Sequence, residues 1–179
     1  MGFEAFDAQF LPLNCPEWQQ VEAITVHSVS EELRSQVGIE FAGKAILRID
    51  LHDYSCTESF SAVFCNTHRV FIGYNDYLLI ISPHQKTFTQ IKLTGYFSAI
   101  YSDDEDHELG QDLLIASADR LVRVNAFGEI IWISAHIAED GIIVNHTKNH
   151  VIDVLCEIDP PYDWQELQLD LQTGQIIDN

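Results

Sequence analysis

The densest run of side chains able to do chemistry is Ser102-Asp-Asp-Glu-Asp-His-Glu-Leu-Gly-Gln-Asp112. Carboxylates this close together could hold a cation, dock a cationic surface, or simply face water in a loop between strands. A calcium loop of the EF-hand kind fails on position: counted from Asp104, it needs Gly sixth and Glu twelfth, and Leu109 and Ile115 stand there. His146-Thr-Lys-Asn-His150 has the four-residue step that sets two imidazoles on one helical face, as in zinc proteases. No Glu follows His146, and the apolar runs Gly141–Asn145 and Val151–Leu155 on either side read as a hairpin, so both histidines are expected in its turn. His27, His52, His68, His84, His107 and His136 stand singly. There is no Gly-x-Ser-x-Gly elbow, and Gly43-Lys44-Ala45 lacks the upstream Gly and following Ser or Thr of a phosphate cradle. With 28 acids in the chain, a glycosidase-type carboxylate pair can be drawn anywhere and so carries no information. No catalytic residue, metal ligand or cofactor site is expected.

Charge narrows the partner. The chain has 179 residues, with 28 Asp plus Glu against 9 Lys plus Arg, a formal net charge of −19. Nucleic-acid binding needs a basic face from which counterions are released, and nine scattered cations cannot build one. The same field repels an anionic membrane, and the longest apolar runs, about eight residues, fall well short of the roughly 20 that span a bilayer. The N-terminal Met1–Phe10 carries acids where a secretory signal would carry positive charge, and Phe6 occupies the Ser or Thr position of a myristoylation motif, so a cytoplasmic protein is expected. Cys15, Cys56, Cys65 and Cys156 form no Cys-x-x-Cys pair and read as buried or half-buried thiols.

The elements that must carry these residues are strands. Short β-branched and aromatic runs recur between turn residues at Ala45–Leu51, Ser61–Phe64, Arg69–Tyr74, Tyr77–Ser82, Thr87–Leu93, Leu113–Ala116, Leu121–Asn125, Ile130–Ser134, Gly141–Asn145, Val151–Glu157, Glu166–Leu171 and Gln175–Ile177. One or two short N-terminal helices are expected, the candidate segments being Pro16–Val21 with Pro in the first turn and Ser30–Ser35 with Ser30, Glu31 and Glu32 ahead of Leu33. Shifting Val70–Thr89 by 43 positions lays it on Leu113–Trp132 without a gap, with Ile72 on Ile115, Asp76 on Asp119, Leu78 on Leu121 and Ile81 on Val124. A third copy lies in Val151–Ile177, where the run from Leu167 to Gln175 echoes that from Leu121 to Glu129.

The run Asp119-Arg-Leu-Val-Arg-Val-Asn-Ala-Phe-Gly-Glu-Ile-Ile-Trp132 resembles the inner strands and glycine turn of propeller blades of the quinone-binding or WD kind. That resemblance covers roughly residues 60–178 and implies blade-like repeats of four strands. The expected architecture is all-β: antiparallel meanders in a partial or open propeller-like arrangement, one domain over 1–179, with 1–60 capping an edge and 61–179 forming the repeats.

A second feature suited to recognition is Cys156-Glu-Ile-Asp-Pro-Pro-Tyr-Asp-Trp-Gln-Glu166, where two prolines stiffen a loop bearing Tyr162 and Trp164 beside Asp159 and Asp163. It reads either as a binding loop or as a rigid hairpin covering a sheet edge. In size, acidity, β content and loop chemistry the chain is similar to the immunity proteins of bacterial contact-dependent growth inhibition and related polymorphic toxin systems. The resemblance implies a non-enzymatic inhibitor that occludes the cationic active site of a basic toxin or nuclease, as a monomer within a heterodimeric complex. Asp103, Asp104, Glu105, Asp106 and Glu108 are then the expected charge-complementary residues, and Asp159, Tyr162, Asp163 and Trp164 the expected anchors. The alternatives are a hydrolase or lyase with a carboxylate or histidine site in a propeller-like pocket, and a structural scaffold module.

Overall fold

A computed structural model describes residues 6–27, 32–52 and 60–177. The protein is all-β, as the periodicity requires. Its strands in chain order are β1 (Phe6–Leu11), β2 (Ala23–His27), β3 (Leu33–Phe41), β4 (Lys44–His52), β5 (Ser61–Cys65), β6 (Val70–Tyr74), β7 (Tyr77–Ser82), β8 (Thr87–Lys92), β9 (Phe97–Tyr101), β10 (Leu113–Ser117), β11 (Leu121–Val124), β12 (Ile130–Ile133), β13 (Ile142–Lys148), β14 (Val151–Asp159) and β15 (Asp163–Asp170). They form four sheets, ordered β1-β3-β4-β2, β5-β6-β7-β8, β9-β10-β11-β12 and β13-β14-β15. The last three are meanders in which chain neighbours are sheet neighbours. Only the first departs from this, with β2 running parallel to β4. Two compact units emerge from the pattern of contacts: Met1–Glu58 with Val63–Ile72 and Leu79–Gln90, and Ser59–Ala62 with Gly73–Leu78 and Ile91–Asn179.

The two candidate helices are corrected. Pro16–Trp18 is a single 3-10 turn, the only helical segment among the described residues. In the expected Ser30–Ser35 helix, Ser30 and Glu31 lie outside the described residues, and Leu33–Ser35 begin β3. The polar Ser-Glu-Glu start imitates a helix cap, but the strand beyond it is covered on both faces: Gln36–Ile39 are buried in a row, with Val37 and Ile39 fully buried and paired with Ile49 and Leu47 of β4. Between them, Gly38 leaves room for an indole. A Cβ there would stand 2.6 Å from the Trp18 ring, so the 3-10 turn docks flat on the strand. The guanidinium of Arg48 locks the arrangement, donating to the Trp18 carbonyl at 2.7 Å and to both oxygens of buried Asp50 at 2.8 and 2.9 Å, while Gln36 donates to Asp50 at 2.6 Å. This paired burial keeps the carboxylate from being stranded in the core.

Strands β6, β7 and β8 fall on β10, β11 and β12 under the shift found in the sequence. Over Val151–Ile177, where a third copy is expected, the structure has β14 and β15, followed by an isolated bridge between Ile176 and Leu169. Both glycine turns adopt positive φ, at Gly128 (85°) and Gly174 (69°), a conformation costly for any residue with a Cβ. The core of this half is built from Leu114, Leu121, Trp132, Ile142, Val144, Ile152, Val154, Cys156 and Leu169.

Candidate functional site

The acidic loop follows β9, and its shape is set by its own carboxylates. Asp103 Oδ1 accepts from the backbone N–H of Leu109 and Gly110 at 2.8 and 2.7 Å, and Asp104 Oδ1 from Asp106 and His107 at 2.8 and 2.9 Å. Those donors, Asp106 first, hold the Asp104 carboxyl below its ordinary value. The loop is also tied to the end of β13: Glu108 N donates to the Thr147 carbonyl, Thr147 N to the Asp106 carbonyl, and the Glu108 carboxylate accepts from Asn149 N at 3.2 Å. His107 is buried at the centre of the loop, edge-on to the ring of Tyr101 at 5.3 Å. Among the described residues no Lys or Arg pairs with Asp103 through Glu108. Backbone amides therefore hold the Asp103, Asp104 and Glu108 carboxylates in place without cancelling their charge, and the side chains of Glu105 and Asp106 between them stand exposed.

The aromatic loop lies elsewhere. Asp159 and Asp163 face each other across the tip of the β14–β15 hairpin, and Tyr162 between them is 90% exposed. Tyr162 N donates to Glu157 Oε1 at 3.1 Å. Trp164 is anchored at one end only: its ring covers Gly141, where a Cβ would sit 3.0 Å away. The acidic loop is fastened at the Thr147–Asn149 end of the β13–β14 hairpin and the aromatic loop lies beyond Asp159, at the other end of β14. A nine-residue strand separates them by about 26 Å. The two sets of expected contact residues are thus two patches.

A third constellation went unnoticed in the sequence. One residue from each strand of the β13-β14-β15 sheet meets at one level: His146 Nε2 lies 2.9 Å from Asp153 Oδ2, and Gln168 Nε2 donates to Asp153 Oδ1 at 2.8 Å. With Asn145, Glu166, Ile176 and Ile177 they line a cleft of about 430 Å³. His146 is therefore a strand residue facing a carboxylate, and only Asn149 and His150 form the turn, both with positive φ. The helical two-histidine spacing has no counterpart in space. Hydroxyl, thiol and amine groups are missing from this lining, so the cleft offers carboxylates and an imidazole and no covalent nucleophile of another kind.

The remaining reactive groups are quiet. Burial pushes the thiols of Cys65 and Cys156 up to about 11, so neither is a thiolate near neutrality. Cys15 donates to Glu17 at 3.2 Å, and that bond raises its thiol as well. Cys56 lies outside the described residues. Among the described residues no three His, Cys, Asp or Glu side chains are grouped to hold a metal ion, and no helix is long and apolar enough to cross a membrane.

No protein-family model matches the chain, and a search of curated proteins returns no match.

Proposed function

We propose that the chain is a non-enzymatic acidic binding module that neutralises a basic toxin or nuclease by covering its cationic active site, working in the cytoplasm as one half of a heterodimer. The observation that carries this reading is the preorganised and un-neutralised acidic loop in a chain of net charge −19. Four arginines are turned to structural use: Arg48 on Asp50, Arg123 on Asp112 at 2.6 Å, Arg120 on Asp119, and Arg69 on the His68 carbonyl and Ser82. Spending cations this way leaves the exposed field negative. Carboxylates fixed in space mimic the phosphates that a nuclease cleft is shaped to hold, and such a field speeds encounter with a cationic surface.

The test is capture from the native cells at low salt, elution with rising salt, and identification of what elutes. The expected result is one basic protein whose association rate falls by roughly tenfold in the Glu105→Gln/Asp106→Asn variant, with dissociation changed far less. An unchanged association rate, or a folded protein that recovers nothing at any salt, overturns the reading. The His146–Asp153 pair in its cleft supports the second reading, a hydrolase or lyase. In that case His146→Gln abolishes turnover in a substrate screen and leaves capture unaffected.

A further inference from the structure

Strand β12 is the outer edge of its sheet, and among the described residues nothing pairs with its far side. Ser134 N donates inward to the Leu121 carbonyl at 2.9 Å, and Trp132 stands opposite Arg123. By the alternation of antiparallel pairs, Ile133, opposite Val122 and between Trp132 and Ser134, turns its backbone N–H and C=O outward, while Ile131 is the extra residue where the register shifts between Arg123 and Val124. The side chains are equally uncovered: Ile130, Ile131 and Ile133 are 45, 45 and 49% exposed, and nearby Phe127 is 52% exposed. Bare apolar edges invite pairing, and proteins normally guard them with charge, proline or a covering segment. Ile130–Ile133 carries no charge or proline and no covering segment among the described residues; its shortness and the register shift at Ile131 are what limit pairing, and they leave Ile133 open.

The charge around this edge has one sign. Residues 125–141 contain Glu129, Glu139 and Asp140, all exposed, no Lys or Arg, and one histidine, His136, whose ring is held between Asp119 and Glu139. The neighbouring cations Arg120 and Arg123 are engaged by Asp119 and Asp112. A second copy would bring another −19 against this field. A strand with apolar side chains on one face and basic ones flanking them satisfies the backbone, the isoleucines and the acids together.

We propose that the outer edge of β12 docks an extended segment of a cationic partner as an added strand. The inference rests on the binding-module reading and names the surface that the partner's main chain uses. It is tested with two synthetic peptides of equal charge, one alternating Lys and Val and one alternating Lys and Gly, together with an N-methylated form of the first that lacks alternate backbone donors. Binding is followed through the backbone amides of the full chain by NMR and hydrogen exchange.

The expected result is protection of the Ile133 amide by the Lys–Val peptide, with binding about tenfold weaker after N-methylation and about tenfold weaker to the Ile131→Thr/Ile133→Gln variant. Equal binding of the Lys–Val and Lys–Gly peptides, with the Ile133 amide unprotected, overturns strand docking and leaves attraction to cationic partners standing. Failure of both peptides to bind at low salt removes both. A dimer in sedimentation without peptide, its Ile133 amide already protected, assigns the edge to a second copy and also overturns the proposal.

Discussion

Strands β8 and β12 hold the same place in consecutive sheets: each is the last strand of a four-stranded meander, and the repeat lays Thr87, Phe88, Thr89 and Gln90 on Ile130, Ile131, Trp132 and Ile133. The first edge is ordinary. It is exposed along nearly its whole length, mostly polar, and ends in Lys92, which reaches Asp76 at 3.7 Å. The second replaces every polar residue with a large apolar one. Trp132 accounts for its own share, because it is buried, packs over Gly174 and donates from Nε1 to the Leu171 carbonyl at 2.8 Å. The three isoleucines have no such inward role. The difference teaches that a last strand in this kind of meander can be polar, so the exposed isoleucines of β12 are the feature on which the docking proposal rests.

The largest expected effect separates the two edges by their anchors. Trp132→Ala removes the indole that fastens β12 to the Gly174 turn and costs about 3–5 kcal/mol in thermal or denaturant unfolding, whereas Thr89→Ala at the matching position of β8 costs less than about 0.5 kcal/mol. Equal losses would show that the inward halves of the two strands are not distinguished as described. Next comes the ion pair beneath β12. Arg123 spans Asp112 and the Leu171 carbonyl, and with both charges largely covered Asp112→Asn is expected to cost about 1–2 kcal/mol.

Exchanging edge chemistry sharpens the contrast further. Ile131→Thr/Ile133→Gln changes unfolding free energy by less than about 0.5 kcal/mol while lowering self-association at high salt, where charge repulsion is screened. Thr87→Ile/Gln90→Ile should give β8 the same tendency, measured by light scattering. The smallest effect lies just past the C-terminal end of β12. Hydrogen bonds to Glu139 and then Asp119 raise the pKa of His136 above its ordinary 6.5. A raised folded value means stability that is full below pH 6.5 and is lost as pH rises through the folded pKa. The melting temperature of wild type relative to His136→Gln is therefore expected to be higher at pH 5.5 than at pH 8.5, and a constant difference would rule this out.

Much of the fold was legible because buried strands leave short apolar runs between turn residues. Tyr77–Ser82, buried almost throughout, and Val151–Asp159, buried at alternate positions, both read this way. Strand β9 escaped notice because Phe-Ser-Ala-Ile-Tyr is short and runs into the acidic loop. Strand β3 was obscured by a polar start that suits a helix cap equally well. Even the His146–Asp153 pair left a trace. A two-residue turn at Asn149–His150 sets Lys148 opposite Val151, and counting back two residues sets His146 opposite Asp153. Gln168 left none, since the longer Pro160–Tyr162 connection does not determine its register by counting.

Charge, strand content and the repeat period were decided by the sequence alone, because each is a sum or a spacing along the chain. Tertiary structure decided which charges remain available: it engaged Arg48 on buried Asp50 and Arg123 on half-buried Asp112, bound Asp103 and Asp104 to backbone amides, and set the acidic and aromatic loops at opposite ends of β14. It also decided that Ile131 and Ile133 face outward. A run of isoleucines reads as core in any sequence, and only the pairing order of the strands shows that this run lies on an edge.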